Sequence, residues 1–128
     1  MEICTQHPLP AERIREQVPQ IIAWLEARLV REVEVMHGWG RAPMELAYEP
    51  MRIALSDVLS FIERSEADGL FEFAGSDLWI KGGDVDFLLC HEADIHVISP
   101  DPSFIEVVKA DWIAKGFEVH NINRETSS

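Results

Sequence analysis

The chain has 128 residues, 47% of them hydrophobic, and a formal net charge of −12, so it is long enough to bury a core as a single domain without metal or disulfide staples. No segment approaches the run of about 18 apolar residues that a membrane span needs, and no basic region precedes an apolar run at the N-terminus, so the sequence predicts neither a membrane anchor nor a secretory signal. The excess of acids argues against binding of nucleic acid or membranes, whose phosphates would be repelled.

Two cysteines, Cys4 and Cys90, lie in unrelated contexts outside any CxxC motif. Small secreted domains use more cysteines than this, so we expect two reduced thiols in a cytoplasmic protein. The chain contains no P-loop and no GxGxxG motif, and we predict no cofactor.

The first half of the chain predicts a helical hairpin. Residues 1–9 form either a loose lead-in or a short edge strand. Apolar residues then recur at intervals of three and four from Ile14 to Met36, which predicts an amphipathic helix from about Pro10 to His37. A second stripe predicts a helix from Pro50 to about Glu66, with Gly69 as its stop signal. Two long helices joined by a short loop form an αα-hairpin.

The loop between these helices, Gly38-Trp39-Gly40-Arg41, contains two residue types that are enriched at binding hot spots. Trp39 either folds back onto the core as a lid or serves as an interface anchor. Both alternatives stay open from the sequence alone, and we take Trp39 and Arg41 as candidate partner-binding residues.

Residues 70–99 predict a meander of antiparallel strands, because short runs alternate apolar and polar residues with the period of a half-buried strand. The Gly82-Gly83 pair supplies a tight hairpin turn. On the following strand Val85, Phe87 and Leu89 share the face that the helices should cover. Leu88, Cys90, Ile98 and either Trp79 or Ile80 then fall on the other face, where they would meet solvent or a partner.

After the meander, Asp101 can cap a helix whose first residue is Pro102. Ile105, Val108 and Trp112 give its buried face, and Gly116 ends it. A short strand follows, and residues 124–128 should be a disordered tail. The element order predicts an α+β fold as a single domain over residues 1–123, with an N-terminal helical hairpin packed on an antiparallel meander and a further C-terminal helix and strand.

One stretch has the residue types of a metal or catalytic site. His91, Glu92, Asp94 and His96 place two imidazoles and two carboxylates within six residues, which could suit zinc in a small metal-dependent hydrolase. The spacing disfavours this alternative, because HExxH needs histidines four apart on a helix and these are five apart in a strand context. A polar turn between two strands is the preferred interpretation, and Cys90 beside His91 is not by itself a dyad.

Negative charge concentrates in the sheet region. Residues 66–111 carry eleven acids against Lys81 and Lys109, a net charge of −9. This charge suits a basic partner, since complementary charge speeds association. We therefore take Asp84, Asp86, Glu92 and Asp94 as candidate partner-binding residues on a solvent-exposed face.

The run DLWIKGGDVDFLLCHEADIHVIS (residues 77–99), followed by a capped helix and a strand, resembles the small acidic immunity proteins that bacteria encode beside polymorphic toxins. The resemblance covers about the last sixty residues of the sequence and includes no diagnostic motif. It implies a cytoplasmic, non-catalytic protein that binds a cognate toxin domain, often a basic nuclease, and blocks its active site. Whether the chain also forms a homodimer stays open.

Overall fold

The computed structural model describes residues 1–122 and confirms the α+β class, with three α-helices and one antiparallel sheet of seven strands. The predicted tail, residues 124–128, lies outside the described residues. In chain order the elements are β1 (Glu2–Thr5), α1 (Ala11–Ala27), β2 (Glu32–His37), β3 (Met51–Ala54), a short 3₁₀ turn (Leu55–Asp57), α2 (Val58–Ala67), β4 (Leu78–Gly82), β5 (Val85–Cys90), β6 (Asp94–Ile98), α3 (Pro102–Ala114) and β7 (Val119–Ile122).

The strand order is β3-β2-β4-β5-β6-β1-β7, and the predicted meander β4-β5-β6 forms its centre. Gly82 pairs with Val85, so the connecting turn is Gly83-Asp84, and Gly83 has the positive φ of +62° that such a turn needs. The predicted strand phase is confirmed, since Val85, Phe87 and Leu89 are all buried.

All three helices pack on that same face of the sheet. Trp24 of α1 stacks on Phe87 with ring centroids 6.1 Å apart, and Phe104 of α3 meets both rings edge-on. Trp112 is fully buried in the same layer. The helical contribution to the core is Ile14, Val18, Ile21, Trp24, Leu25, Val58, Ile62, Phe104, Ile105, Val108 and Trp112.

The predicted helical hairpin does not form. Helix α1 ends at Ala27, where Val30 N–H donates to Leu25 O at 3.0 Å and Leu29 takes a φ of +66°. Leu29 belongs to the apolar stripe from which we predict a buried helix face, but that prediction is wrong at this position, where the residue is 86% exposed. Residues 32–37 alternate buried and outward side chains as strand β2, so two strands separate α1 from α2.

The predicted start of the second helix is also wrong, because a strand was again interpreted as the beginning of a helix. Met51–Ala54 form strand β3 at the sheet edge, paired with β2, and α2 starts only at Val58. Its end is as predicted, at Ala67 with Gly69 at a φ of +74°.

The first and the last described strands are neighbours in the sheet. Strand β1 is neither a loose lead-in nor an edge strand, because it lies between β6 and β7. Helix α3 starts as predicted, with the Asp101 carboxylate accepting from Ser103 N–H at 3.0 Å, and Gly116 at a φ of +87° follows its last turn. Among residues 1–122, no helix has the length and apolarity to cross a membrane.

Candidate binding face of the sheet

The sheet has a second face that no helix covers within residues 1–122, and we call it the open face. Its side chains lie in rows across the strands because register fixes which residues are neighbours. One row, from β2 to β7, is Met36, Trp79, Leu88, His96, Cys4 and His120. The next row is Glu34, Lys81, Asp86, Ile98, Glu2 and Ile122.

Apolar side chains occupy the middle of the open face. Trp79, Leu88 and Ile98 lie there half-buried, as the alternation of the sequence predicts. Ile80, the alternative to Trp79, points into the core instead and is fully buried. Lys81 places its ammonium 5.4 Å from the centre of the Trp79 ring, so its stem and charge cover part of that indole.

The four predicted acids do not form one patch. Asp84 lies in the β4–β5 turn, where Arg28 bonds it at 3.2 Å, and Glu92 is exposed in the turn after β5. The six residues of β5 hold these two turns about 17 Å apart. Asp86 lies on the open face between them. The expectation that Asp94 is solvent-exposed is wrong, because its side chain is only 7% exposed.

Asp94 is buried because it belongs to a charge cluster with His96 and Glu2. The His96 ring bonds Glu2 Oε2 through Nδ1 at 2.9 Å and Asp94 Oδ2 through Nε2 at 3.2 Å. Burial of the ring opposes its charge, but the two carboxylates outweigh burial and raise the pKa of His96 to about 11. His96 in turn lowers the pKa of Asp94 in spite of that carboxylate's burial. Both ring nitrogens of the imidazolium therefore donate to carboxylates.

The two cysteines flank this cluster. Both are free thiols and both are buried, Cys4 on β1 and Cys90 at the end of β5. Burial raises the pKa of each thiol, so both are protonated at neutral pH, and neither is the thiolate that nucleophilic catalysis needs.

Trp39 and Arg41 lie beside the turn that carries Glu92. Trp39 is 61% exposed, so it is not a core lid, and its ring centroid lies 4.6 Å from that of His91. The main chain holds this arrangement, since Asp77 N–H donates to Trp39 O at 2.7 Å and His91 N–H donates to Asp77 Oδ1 at 2.7 Å. Arg41 pairs with Glu72 at 3.0 Å.

The predicted metal-binding alternative is not assembled. His91 bonds Asp77 through Nδ1 at 2.8 Å, whereas His96 bonds Glu2 and Asp94, and Glu92 faces solvent. The side chains that lie together in the described chain form two other groups, one of Cys4, Asp94 and His96 and one of Asp77, Cys90 and His91. In the second group the Cys90 sulfur and the Asp77 oxygen both approach the same nitrogen of His91, so a proton relay from thiol to carboxylate through the ring is not formed.

The sequence gives no sign of an apolar pocket of about 220 Å³ at the other side of the molecule, between β2, the loop before β3, and α2. His37 lines it, with Nε2 3.3 Å from Ser65 Oγ and Nδ1 buried without a hydrogen bond in the described chain. Burial lowers the pKa of His37, so this imidazole is neutral.

Glu2 of the charge cluster, and Cys4 beside the cluster, were missed from the sequence because β1 had no predicted place in the sheet. The alternation of Glu2-Ile3-Cys4-Thr5 was the available signal, but four residues are too few to distinguish a central strand from a lead-in.

Searches of protein-family models, of curated proteins and of solved structures find no match to this chain.

Proposed function

We propose that this chain is a non-catalytic cytoplasmic protein that uses its open face to bind a basic protein domain. One observation carries the proposal, namely an antiparallel sheet with one face uncovered by any helix in residues 1–122. Where such a face is only solvated, its outward residues are polar. Here Met36, Trp79, Leu88 and Ile98 occupy its middle instead, and an apolar patch rimmed by polar groups is typical of an interaction surface.

The residue types on this face match those of interface cores. Trp and Met are enriched there, and charged residues surround the core as a rim. Glu34 and Asp86 flank Lys81 in the row beside Trp79, and Glu92 is exposed in the turn after β5. A complementary partner surface is therefore basic.

Trp39 supplies a second candidate anchor at the end of the sheet. It is an exposed aromatic side chain whose backbone is fixed by hydrogen bonds to Asp77, so little conformational entropy is lost when a partner covers it. Glu92 lies in the adjacent turn, and Arg41 with its partner Glu72 borders the same end. Aromatic anchors that become buried when a complex forms carry most of the affinity of an interface.

The partner class follows from the resemblance to immunity proteins. A protein of that class needs a stable domain, an acidic binding surface and no chemistry of its own. Support for the absence of chemistry comes from the histidines, since both ring nitrogens of His96 are held by carboxylates and His91 is held by Asp77. We therefore propose that the bound partner is a basic toxin domain, which the chain neutralises by covering its active site.

The test co-purifies this chain with the C-terminal domain of the product of the neighbouring open reading frame, which the proposal expects to be a secreted toxin. Asp86→Lys with Glu92→Lys should slow association at least about tenfold, because the complementary charge is reversed. The matched control is Glu63→Lys with Glu106→Lys, which makes the same charge change at exposed positions on α2 and α3. Association is measured by stopped-flow fluorescence at two salt concentrations, and the control should differ from wild type by less than about twofold.

A companion variant, Trp79→Ala, should speed dissociation about tenfold or more if the open face is the buried core of the complex. Equal effects of the two charge-reversal pairs would contradict the acidic surface. A chain that forms a dimer by light scattering, and loses it in Leu88→Lys, would instead assign the open face to a second copy and overturn the proposal.

A further inference from the structure

Four side chains on the open face, two on β6 and one on each of its neighbours β1 and β5, have the chemistry of a metal site. Cys4 lies opposite His96 across β1 and β6, and Cys90 lies opposite Asp94 across β6 and β5. Three neighbouring strands therefore present two thiols, one carboxylate and one imidazole to the same side. We propose that Cys4, Cys90, Asp94 and His96 bind one Zn²⁺ ion. This inference does not depend on the proposed partner binding.

Three of the four donor atoms already lie close together. The Cys4 sulfur, an Asp94 carboxylate oxygen and a His96 ring nitrogen are all within 4.8 Å of one another, and Cys90 is the direct cross-strand neighbour of Asp94. Ligands of a tetrahedral zinc ion lie about 3.4–3.8 Å from each other. Small side-chain rotations on a fixed sheet would bring the donors to that spacing.

Glu2 orients the imidazole as outer carboxylates do in zinc sites. Its Oε2 accepts a hydrogen bond from His96 Nδ1 at 2.9 Å, so Nε2 is the nitrogen that points toward Asp94. A zinc-bound histidine typically donates its other ring N–H to a carboxylate, which fixes the tautomer and the ring plane. Glu2 thus already makes the outer contact that a zinc-bound His96 requires.

One buried oxygen of the cluster has no hydrogen-bond partner within residues 1–122. Asp94 is buried, and its Oδ1 accepts no hydrogen bond within residues 1–122. Leaving a carboxylate oxygen buried and unpaired is costly, and coordination to a metal ion would satisfy it.

The exchange balances in protons. In the protein without metal, His96 Nε2–H joins the ring to Asp94 Oδ2, and both thiols carry their protons. On binding, Zn²⁺ takes the place of the His96 Nε2 proton and of the two thiol protons, and Asp94 coordinates it through Oδ1, so three protons leave to solvent and two thiolates form. Thiolate and imidazole donors select Zn²⁺ over the oxygen-preferring Mg²⁺ and Ca²⁺.

This ligand set differs from the one that the sequence suggested. Asp94 and His96 are shared, but Cys4 and Cys90 replace His91 and Glu92. The neighbouring group of Asp77, Cys90 and His91 also contains a thiol and an imidazole. A metal ion bound there would depend on His91, whereas one bound at the proposed site would depend on Cys4 and His96, so substitutions can tell the two sites apart.

The test is a titration of the reduced full chain with Co²⁺, which reports thiolate ligands by charge-transfer absorption. We expect one Co²⁺ per chain with a thiolate band that Zn²⁺ displaces. Cys4→Ser and His96→Gln should each lower the affinity at least about tenfold. The matched control, His91→Gln, should retain wild-type affinity and spectrum.

Because His96→Gln also removes a buried cation, circular dichroism must show that each variant is folded. If His96→Gln does not fold, the affinity of Cys4→Ser for Co²⁺ decides the test. Loss of binding in His91→Gln with retention in Cys4→Ser would place the ion at Asp77 and overturn the proposal. Binding without a thiolate band, or no binding at all, would overturn it as well.

Discussion

His37 lies on the covered face of the sheet and His96 on the open face, and both are largely buried, yet their charges differ. His37 packs among apolar side chains and next to Ser65, so burial lowers its pKa and the ring is neutral. His96 has two carboxylates within 3.2 Å, and its pKa rises to about 11 despite burial. The neighbours on each face decide the protonation state, and burial alone does not.

The same contrast extends to what stabilises each face. The covered face is held by close packing of aromatic and aliphatic side chains under three helices. The open face is held by cross-strand pairs, in which charge and apolar area are mixed. Packing terms should therefore dominate on one face, and pH-dependent terms on the other.

The largest expected loss of stability comes from a substitution that breaks the packing of the covered face. Phe87→Ala should lower the free energy of unfolding by about 3–5 kcal/mol, because it removes a fully buried ring between Trp24 and Phe104. Leu88→Ala, one residue along on the open face, should cost less than about 2 kcal/mol. Urea unfolding of both variants measures the difference, and equal losses would show that the open face is packed as tightly as the core.

His37 and His96 should make the stability of the fold depend on pH in opposite directions. For His96 the pKa in the folded state lies above the usual value of 6.5, so its contribution is complete below pH 6.5 and is lost as the pH rises toward about 11. For His37 the folded pKa lies below 6.5, so its contribution is lost as the pH falls below 6.5.

Unfolding free energies of the metal-free protein, measured in chelator between about pH 5 and pH 9, test both signs and avoid the range where Asp94 titrates. His96→Gln should flatten the slope above pH 6.5 and His37→Phe the slope below it. A wild-type profile without curvature near neutral pH would contradict the assigned charges.

The smallest expected effect concerns a charge at the boundary of the two faces. Asp84 shares Arg28 with Asp101, with N–O distances of 3.2 Å to each carboxylate, and all three side chains are partly exposed. Asp84→Asn should therefore cost less than about 1 kcal/mol. Asp94→Asn, which removes a buried partner of His96, should cost more. Thermal unfolding at low and moderate salt compares them, and a larger loss for Asp84→Asn would reverse the ranking.

The sequence predicted those parts of the fold in which local pattern and burial agree. Val85, Phe87 and Leu89 alternate in one short run, and Asp101-Pro102 marks a helix start, so the meander and α3 were correct. The first half misled because Val33 and Met36 continue the helical spacing of α1 by coincidence, while Glu32-Val33-Glu34-Val35 also alternates as a strand. Leu29 ends the helix by adopting a positive φ, a conformation that is usually taken by glycine. The sequence could not indicate this, because a leucine at that position looks like a continuation of the apolar stripe.

The site was less predictable than the fold because its parts are far apart in the chain. His91 to His96 looked like one cluster, but the β5–β6 turn sends His91 toward Asp77 and His96 toward Glu2. Partners of that kind depend on strand order, which local spacing does not encode. The open apolar face was predictable, because it needs only the strand phase and the assumption that all helices lie on one side.

The position of β1 has a consequence for how the chain folds during synthesis. Ile3 pairs with Val97 on one side and Asn121 on the other, so β1, which precedes the other described strands, finds both neighbours only after β6 and β7 have been made. Contacts of such long range slow folding and leave intermediates exposed to aggregation. Until β1 is inserted, β7 has no strand to pair with among the described elements, and β6 presents an unpaired edge. Insertion of β1 is thus the step that closes the sheet, and it brings Glu2 and Cys4 to His96 at the same moment.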